Sequence, residues 1–348
     1  MSPLVTRLAV GLLFLATPAL PPQAAPSANT PPAGEVSVAA AQRLIASGRF
    51  AQATQQLNAL AVQKPEPAGV ERVRGMAFYA QGKMDEAATA FAAAMSQDPT
   101  DREAIQMRGV ALFRMGNPAE AIPLLEKAHG SVPSANVDGN YVLGLCYMDT
   151  RRYDDARRAF AAEYGFAPDS AEAYLLAARL LLRREYLPAA IASAQKAVSL
   201  APTLPLAHEL LGEVALAQAD IPGSIAEFEK ERKLNPLFGG VYDRLGDAYT
   251  RSGDYDKAQQ ALDRAVLLEP ASTGPYILLG KVLLKQRDPA MATLYLERAV
   301  SMDPNNFIAH GLLGQAYRAT GRADDAQRET QTAERLQASN TPKLEKPR

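Results

Sequence analysis

From about residue 34 onward, apolar residues recur with the spacing of amphipathic helices, and prolines interrupt this pattern at a regular interval. Six of the seven intervals between these prolines are 34 residues and one is 35. Proline lacks an amide hydrogen and clashes with a preceding helical turn, so it is favoured just after a helix that must end. The prolines therefore predict a repeated structural unit, and its successive ends are marked by Pro65, Pro99, Pro133, Pro168, Pro202, Pro236, Pro270 and Pro304.

Two series of small residues share the interval of the prolines. Glycine stands about ten residues after most of the prolines, and a small residue, usually alanine, stands twelve residues before each of them. Glycine costs a helix about 1 kcal/mol relative to alanine, so its recurrence predicts a second helix that lies too close for a side chain. We expect the alanine series, which includes Ala258, to be the contact of the glycines. The glycine series is Gly75, Gly109, Gly144, Gly212, Gly246, Gly280 and Gly314, with Ala178 at the place where glycine is missing.

A turn signal lies between the glycine series and the alanine series. Glycine permits the positive φ that ends a helix, so each unit is predicted to be a helical hairpin. One unit has Arg184, Glu185 and Tyr186 where the turn glycine is expected, and we expect that hairpin to be distorted. The turn glycines of the other recognisable units are Gly48, Gly82, Gly116, Gly253 and Gly321.

This pattern resembles the tetratricopeptide repeat family, in which aromatic, Leu-Gly, aromatic, Gly-Asp-Tyr, Ala, Phe, Ala and Pro positions span one repeat. The best match is the unit 239–272, through Tyr242, Leu245, Gly246, Tyr249, Gly253, Asp254, Tyr255, Ala258, Leu262, Ala265 and Pro270. The resemblance implies an all-α fold, a right-handed α-solenoid of about nine helical hairpins. The expected units are 34–67, 68–101, 102–136, 137–170, 171–204, 205–238, 239–272, 273–306 and a capping unit, 307–337.

The first 25 residues have a different character from the repeat. One positive charge, a short apolar run and several small residues follow one another, which is the layout of a secretory signal peptide. Cleavage is expected after Ala19 or Ala25, although a short uncleaved membrane anchor would have a similar pattern. We therefore expect a periplasmic or otherwise exported bacterial protein.

Two further segments and one cysteine complete the organisation of the chain. Residues 26–33 are rich in proline and alanine and predict an extended tether, and residues 338–348 predict a disordered tail. The single cysteine, Cys146, permits no internal disulfide and is expected to be a buried, inert thiol.

Composition and candidate chemistry argue against nucleic acid, metal and catalysis. The 37 Lys and Arg residues nearly balance the 38 Asp and Glu residues, so no broad positive field is available for a nucleic acid. His208 and Glu209 resemble part of a metalloprotease helix, but Gly212 occupies the place of its second histidine. His129, His208 and His310 fall in different units and are expected to serve packing. We therefore expect no catalytic set, no cofactor and no metal site.

Function is expected on the surface that the first helix of each unit lines. In the resembled family, five positions of this helix are exposed on the concave wall, and such a wall suits an amphipathic helix or an extended peptide. Carried onto this sequence, these positions give an apolar stretch and then a charged one. The apolar residues are Met76, Tyr79, Phe113, Tyr141, Leu145, Met148, Leu175 and Leu182, and the charged residues are Arg179, Arg183, Glu209, Glu213, Asp243, Asp247, Lys281, Lys285 and Arg318.

Two other interpretations of these residues remain open. The charges of one unit could pair with those of the next, as Arg179 with Glu209, and the apolar side chains could be covered by neighbouring helices. We nevertheless expect Arg179 to be exposed, so the substitution Arg179→Glu should change the free energy of unfolding by no more than about 0.5 kcal/mol.

The sequence thus predicts a non-catalytic scaffold or adaptor that binds a protein or peptide segment in its concave groove. A place in a bacterial envelope assembly, secretion or polysaccharide-export complex, with peripheral association, is an analogy at the level of the fold. One alternative is a carbohydrate-binding or small-ligand-binding protein, and another is an accessory subunit of an enzyme complex.

Overall fold

The computed structural model describes residues 36–128 and 138–340, and in these residues the chain is all-α, with eighteen helices and no strand. The helices form nine consecutive pairs, and one pair begins in each of the expected units. The predicted all-α fold of about nine helical hairpins is therefore confirmed. Within the described residues, none of the helices combines the length and the apolar character that crossing a membrane requires.

The helices are numbered in chain order, so the odd-numbered helix of each hairpin is its first helix and the even-numbered helix is its second. They are α1 (Val38–Ala46), α2 (Phe50–Ala61), α3 (Val70–Ala80), α4 (Met84–Gln97), α5 (Arg102–Arg114), α6 (Pro118–Ala128), α7 (Gly139–Asp149), α8 (Tyr153–Tyr164), α9 (Ala171–Arg183), α10 (Leu187–Leu200), α11 (Ala207–Ala217), α12 (Ile221–Leu234), α13 (Gly239–Ser252), α14 (Tyr255–Leu268), α15 (Thr273–Lys285), α16 (Pro289–Met302), α17 (Phe307–Ala319) and α18 (Ala323–Asn340).

The chain divides into two compact parts, and the boundary between them lies within α9. Among the described residues, the N-terminal half ends at Ala177 and the C-terminal half begins at Ala178. The expected signal peptide and tether lie outside the described residues, as does most of the expected tail. The last helix continues to Asn340, so the helical array extends beyond its expected end at residue 337.

Each of the nine hairpins in the described residues closes on a residue with positive φ at the same place in its turn. Five of these residues are the expected glycines, with φ from 73° to 83°. The other four are Arg151, Glu185, Ala219 and Arg287, with φ from 60° to 64°. The expected distortion of the hairpin that contains Glu185 is therefore wrong, because Glu185 adopts the conformation of the missing glycine. This conformation costs a residue with a Cβ about 1–2 kcal/mol.

The glycines of the first helices pack against large side chains of the second helices. We expected the residues of the alanine series to contact these glycines. The nearest atoms instead belong to the side chain four residues after each alanine, one turn further along the second helix. The alanine series contributes backbone, as where the carbonyl oxygen of Ala121 lies 3.4 Å from a Cβ built on Gly109. A Cβ on any of these glycines would overlap its partner, and the pairs are Gly75 with Phe91, Gly109 with Leu125, Gly144 with Phe160, Gly212 with Phe228, Gly246 with Leu262 and Gly280 with Leu296.

The hairpin of α9 and α10 lacks both this glycine and the large partner. Ala178 occupies the glycine position, and the corresponding residue of the second helix is Ala194 rather than leucine or phenylalanine. Both alanines are fully buried, at 0% exposure. Small residues on both helices thus allow this hairpin to close without an aromatic ring.

A ring near the start of several first helices binds the carbonyl oxygen of the proline that ends the preceding unit. This contact satisfies a carbonyl group that the preceding helix leaves without an intrahelical donor. In two hairpins the ring is a histidine and in two it is a tyrosine. The contacts are His208 Nε2 to Pro202 (3.2 Å), Tyr242 Oη to Pro236 (2.9 Å), Tyr276 Oη to Pro270 (3.3 Å) and His310 Nε2 to Pro304 (3.0 Å).

Candidate partner-binding surface

In the N-terminal half, the expected binding surface of the first helices is apolar and partly exposed. The guanidinium of Arg114 lies over the ring of Tyr79, 4.8 Å from its centroid, and burial raises the pKa of the Tyr79 hydroxyl. The ring of Tyr141 packs against that of Phe160, with the centroids 5.6 Å apart. We call the partly exposed residues of these helices the apolar surface, and they are Met76, Tyr79, Phe113, Tyr141 and Leu145.

Two of the expected surface residues in this half are buried. Met148 is 0% exposed and Leu175 is 1% exposed, so neither can contact a partner in this structure. The helices that carry them, α7 and α9, are apolar on nearly every face, and a helix of that kind packs on most of its circumference. The interpretation that neighbouring helices cover the apolar positions is therefore correct for Met148 and Leu175. Leu182, in the C-terminal half, remains partly exposed.

In the C-terminal half, consecutive first helices are connected by ion pairs. Arg179 Nη2 on α9 lies 2.6 Å from Glu209 Oε2 on α11, and Arg244 Nη2 on α13 lies 2.7 Å from Glu213 Oε1 on α11. A third pair, Arg251 with Asp247, lies within α13, with Nη2 and Oδ2 2.8 Å apart. We call these six residues the charged ladder. Pairing between neighbours, the interpretation left open above, is correct for Arg179 and Glu209.

The first pair of the charged ladder is largely withdrawn from solvent. Glu209 is 6% exposed, and burial raises the pKa of its carboxyl group against the opposing effect of Arg179. Asp243, beside the ladder on α13, behaves in the same way, because burial raises the pKa of its carboxyl group against the effect of Arg244. The expectation that Arg179→Glu leaves stability nearly unchanged has to be corrected, since Arg179 neutralises a buried carboxylate.

The remaining expected charges are exposed. Arg183 on α9, Lys281 and Lys285 on α15, and Arg318 on α17 have no acidic partner among the residues that the structure describes. Asp243 and Asp247 do not pair with Lys281 and Lys285, contrary to the pairing that the spacing allowed.

Sequence reasoning missed two features of this surface. Arg244 pairs with Glu213 but stands at a position outside the five carried over from the family, next to Asp243 in the sequence. In the N-terminal half, Arg72 lies 3.3 Å from Asp101 and 3.2 Å from Glu103. These three residues are among those that line a cavity of about 680 Å³. The sequence offered one signal for this contact, because Asp101 and Glu103 follow Arg72 by 29 and 31 residues, which is close to one repeat.

The titratable residues singled out in the sequence serve packing. His208 and His310 are 8% and 6% exposed, and their Nδ1 atoms lie 2.6 Å and 2.5 Å from carboxylates of the paired second helices, those of Glu227 and Glu329. The packing role is therefore confirmed for these two histidines, whereas His129 lies outside the described residues. Cys146 is buried, as expected. In the part of the chain that the structure describes, no group of three or more His, Cys, Asp or Glu side chains could hold a metal ion.

One carboxyl pair in the N-terminal half makes a pH-dependent contribution to stability. Asp138 caps α7 by accepting hydrogen bonds from the backbone N–H groups of Asn140 (2.8 Å) and Tyr141 (3.1 Å). Glu163 on α8 shares a side-chain hydrogen bond with Asp138, and this bond, with partial burial, raises the pKa of Glu163 to about 7. The protonated form of Glu163 is thus the one that the fold favours.

We expect Glu163→Gln to stabilise the protein in alkaline solution and to have little effect in acid. A raised pKa means that the stabilisation is complete in acid and is lost as the pH rises through about 7. Glutamine keeps a donor for Asp138 at every pH, so the gain should reach about 1 kcal/mol after allowance for solvent screening. Urea unfolding of both proteins over a pH series measures this, and parallel curves would show that Glu163 is ionised throughout.

These observations define an all-α helical-repeat protein, an architecture typical of scaffolds for interactions between proteins. Profiles of the tetratricopeptide repeat family match residues 38–102, 107–171, 141–205, 78–128, 240–272 and 283–343. The chain therefore belongs to the tetratricopeptide repeat family. No curated protein matches the sequence of the chain at the level of significance required.

Several solved structures have a similar fold at low sequence identity. One is described as MamA, at 22% identity and a TM-score of 0.43, with 47% of this chain and 95% of that chain covered. YrrB, described as a tetratricopeptide repeat protein with an unusual peptide-binding site, has 22% identity, a TM-score of 0.45 and coverages of 53% and 95%. A structure described as the APC/C hetero-tetramer Cut9-Hcn1 has 20% identity, a TM-score of 0.41 and coverages of 82% and 50%.

Proposed function

We propose that this chain is a non-catalytic scaffold that binds a protein or peptide segment on the surface of its first helices. The observation that carries the proposal is the apolar surface, where five large side chains stay partly exposed on consecutive first helices. Large apolar and aromatic side chains of this kind anchor peptides when they lie in a groove between helices.

The two halves offer a partner different chemistry. The apolar surface of the N-terminal half provides area that a partner can remove from water, which favours binding by about 25 cal/mol for each Å² buried. The charged ladder of the C-terminal half is mostly neutralised within the fold, so it contributes direction and selectivity more than affinity.

We place this scaffold outside the cytoplasm, in a complex of the bacterial envelope. Support comes from residues 1–25, which have the charge, apolar run and small residues of a secretory signal, and from residues 26–33, which have the composition of a tether. The mass of the protein recovered from cells tests this placement, because a cleaved signal shortens the chain at Ala19 or Ala25.

The binding role is tested by comparing variants as affinity baits in an envelope extract and then measuring the affinity of the recovered partner. We expect Tyr79→Ala and Phe113→Ala each to weaken that affinity by about tenfold or more, as truncation of an anchor residue does. Val62→Ala is the matched control, because Val62 follows the second helix α2 and is 77% exposed.

Circular dichroism and urea unfolding establish that all three variants are folded. Equal affinity of the three variants for the partner would contradict the proposed surface. Recovery of a carbohydrate or another small molecule in place of a protein would contradict the proposed class of partner.

A further inference from the structure

The first helices of the last two hairpins carry an uncompensated positive charge. Helices α15 and α17 contain Lys281, Lys285 and Arg318 and no aspartate or glutamate. All three cations are exposed, and none of them pairs with an acidic side chain in the described residues. We call these three residues the basic patch.

The charges of the preceding first helices are used differently. On α9, α11 and α13, Arg179, Arg244 and Arg251 each lie within 2.8 Å of a carboxylate oxygen. Those carboxylates are supplied by the same helices, so the fold neutralises these three cations, whereas Arg183 on α9 is exposed and has no acidic partner in the described residues. The basic patch differs from these helices because neither α15 nor α17 contains a carboxylate that could neutralise it.

The three cations lie on neighbouring parts of one surface. Lys281 and Lys285 are four residues apart, which places them on the same face of α15, one turn from each other. Within the repeat, the position of Arg318 is one residue earlier than that of Lys285. The helices that carry them, α17 and α15, contact each other. Packed helices lie about 8–10 Å apart, so a short peptide segment can reach all three cations.

A glycine on the same surface leaves room for a partner. Gly311 on α17 occupies the position that holds Tyr141 or Glu209 in other units, and it is partly exposed. A Cβ built on Gly311 would meet only the Cβ of Ala333, at 3.9 Å, which is ordinary contact. Unlike Gly280 on α15, whose Cβ would overlap Leu296, Gly311 is not required by the packing of its hairpin.

We propose that the basic patch binds an acidic peptide segment, in which Asp or Glu side chains pair with Lys281, Lys285 and Arg318 while the peptide passes over Gly311. The proposal rests on the proposed function and specifies the partner of the C-terminal half. Charge complementarity supports a peptide over a nucleic acid, because the patch has three cations and the chain has a formal charge of -1, without the broad positive field that a phosphate backbone requires.

Fluorescence anisotropy with a short labelled peptide tests the proposal. The peptide alternates glutamate with leucine and has an amidated C-terminus, so that only its side chains carry negative charge. We expect saturable binding that weakens as salt is added, and no binding of the matched peptide in which lysine replaces glutamate. Absence of binding by the acidic peptide, equal binding of the two peptides, or tighter binding of single-stranded DNA would overturn the proposal.

Charge reversal locates the binding. The variant Lys281→Glu, Lys285→Glu, Arg318→Glu should bind the acidic peptide at least about tenfold more weakly than the unchanged protein. The control reverses three exposed cations on second helices of the same half, Lys233→Glu, Arg298→Glu and Arg335→Glu, and should bind within about twofold of the unchanged protein. Equal losses in the two triple variants would show a general effect of charge and would sink the proposed site.

A third variant tests the passage over Gly311 without changing the charge. We expect Gly311→Leu to remain folded, because the space above the glycine is open, and to bind the acidic peptide at least about tenfold more weakly because leucine fills that space. Unchanged binding by this variant would exclude the passage over Gly311.

The same variants separate this proposal from the proposed function. If the natural partner is lost by Tyr79→Ala but kept by the triple variant of the basic patch, the scaffold role stands and the acidic-peptide site fails.

Discussion

Phe160→Ala should lower the free energy of unfolding by about 3–5 kcal/mol, the cost of removing a fully buried aromatic side chain. Phe160 is 0% exposed, fills the space above Gly144, and packs against Tyr141. The substitution leaves a cavity above Gly144, and Gly144 has no side chain that could fill it. Urea unfolding monitored by circular dichroism measures the loss.

The sign of a second substitution should depend on the first. In the unchanged protein, Gly144→Ala places a Cβ in overlap with the ring of Phe160, and overpacking of this kind costs about 1–3 kcal/mol. In the Phe160→Ala background the same change fills part of the cavity and removes a helical glycine, so it should stabilise the protein. The double variant then reproduces the arrangement of Ala178 and Ala194. Additive effects of the two substitutions would contradict the direct contact.

Arg179→Glu is expected to destabilise the protein by about 3 kcal/mol or more. Arg179 pairs at 2.6 Å with Glu209, whose side chain is 8% exposed, and the variant would set a second carboxylate against it. Removing one partner of a buried pair costs about 3–5 kcal/mol, because the other charge stays buried without compensation. Thermal and urea unfolding at neutral pH test this.

The same variant should recover part of its stability in mildly acidic solution. Burial raises the pKa of the Glu209 carboxyl, so its penalty is absent when it is protonated and appears as the pH rises through that pKa. Arg183→Glu is the control, since Arg183 lies one turn away, exposed and without an acidic partner in the described residues. Its effect should stay within about 0.5 kcal/mol, and an equal loss in both variants would argue against the buried pair.

The repeat and its hairpins could be predicted from the sequence because their causes are local. Proline after a helix, glycine at a crowded position and glycine in a turn each act through the backbone of the residue itself. The turns at Arg151 and Glu185 could not be predicted in this way, because their positive φ is imposed by the helices on either side. The type of side chain at these two positions therefore does not indicate a positive φ.

The binding surface was harder to predict, because exposure depends on neighbours that are distant in the sequence. Met148 and Leu175 occupy surface positions in the family pattern, yet both are buried by residues that lie outside their own repeat pattern of exposed positions. The pair of Arg244 with Glu213 depends on how two long side chains extend between helices. The contact of the glycines with Phe160 and its equivalents, rather than with the alanine series, likewise depends on the reach of a ring.

The hairpins that close on Arg151, Glu185, Ala219 and Arg287 show that the loop residue and the two helical faces can change independently. A hairpin can therefore have a residue other than glycine in its turn, with a modest backbone strain at that residue, and keep the same surface on its first helix. Restoring glycine at one of these four places would add stability without altering what is recognised. Substitutions in the turns can therefore change the stability of the protein separately from the surface that binds a partner.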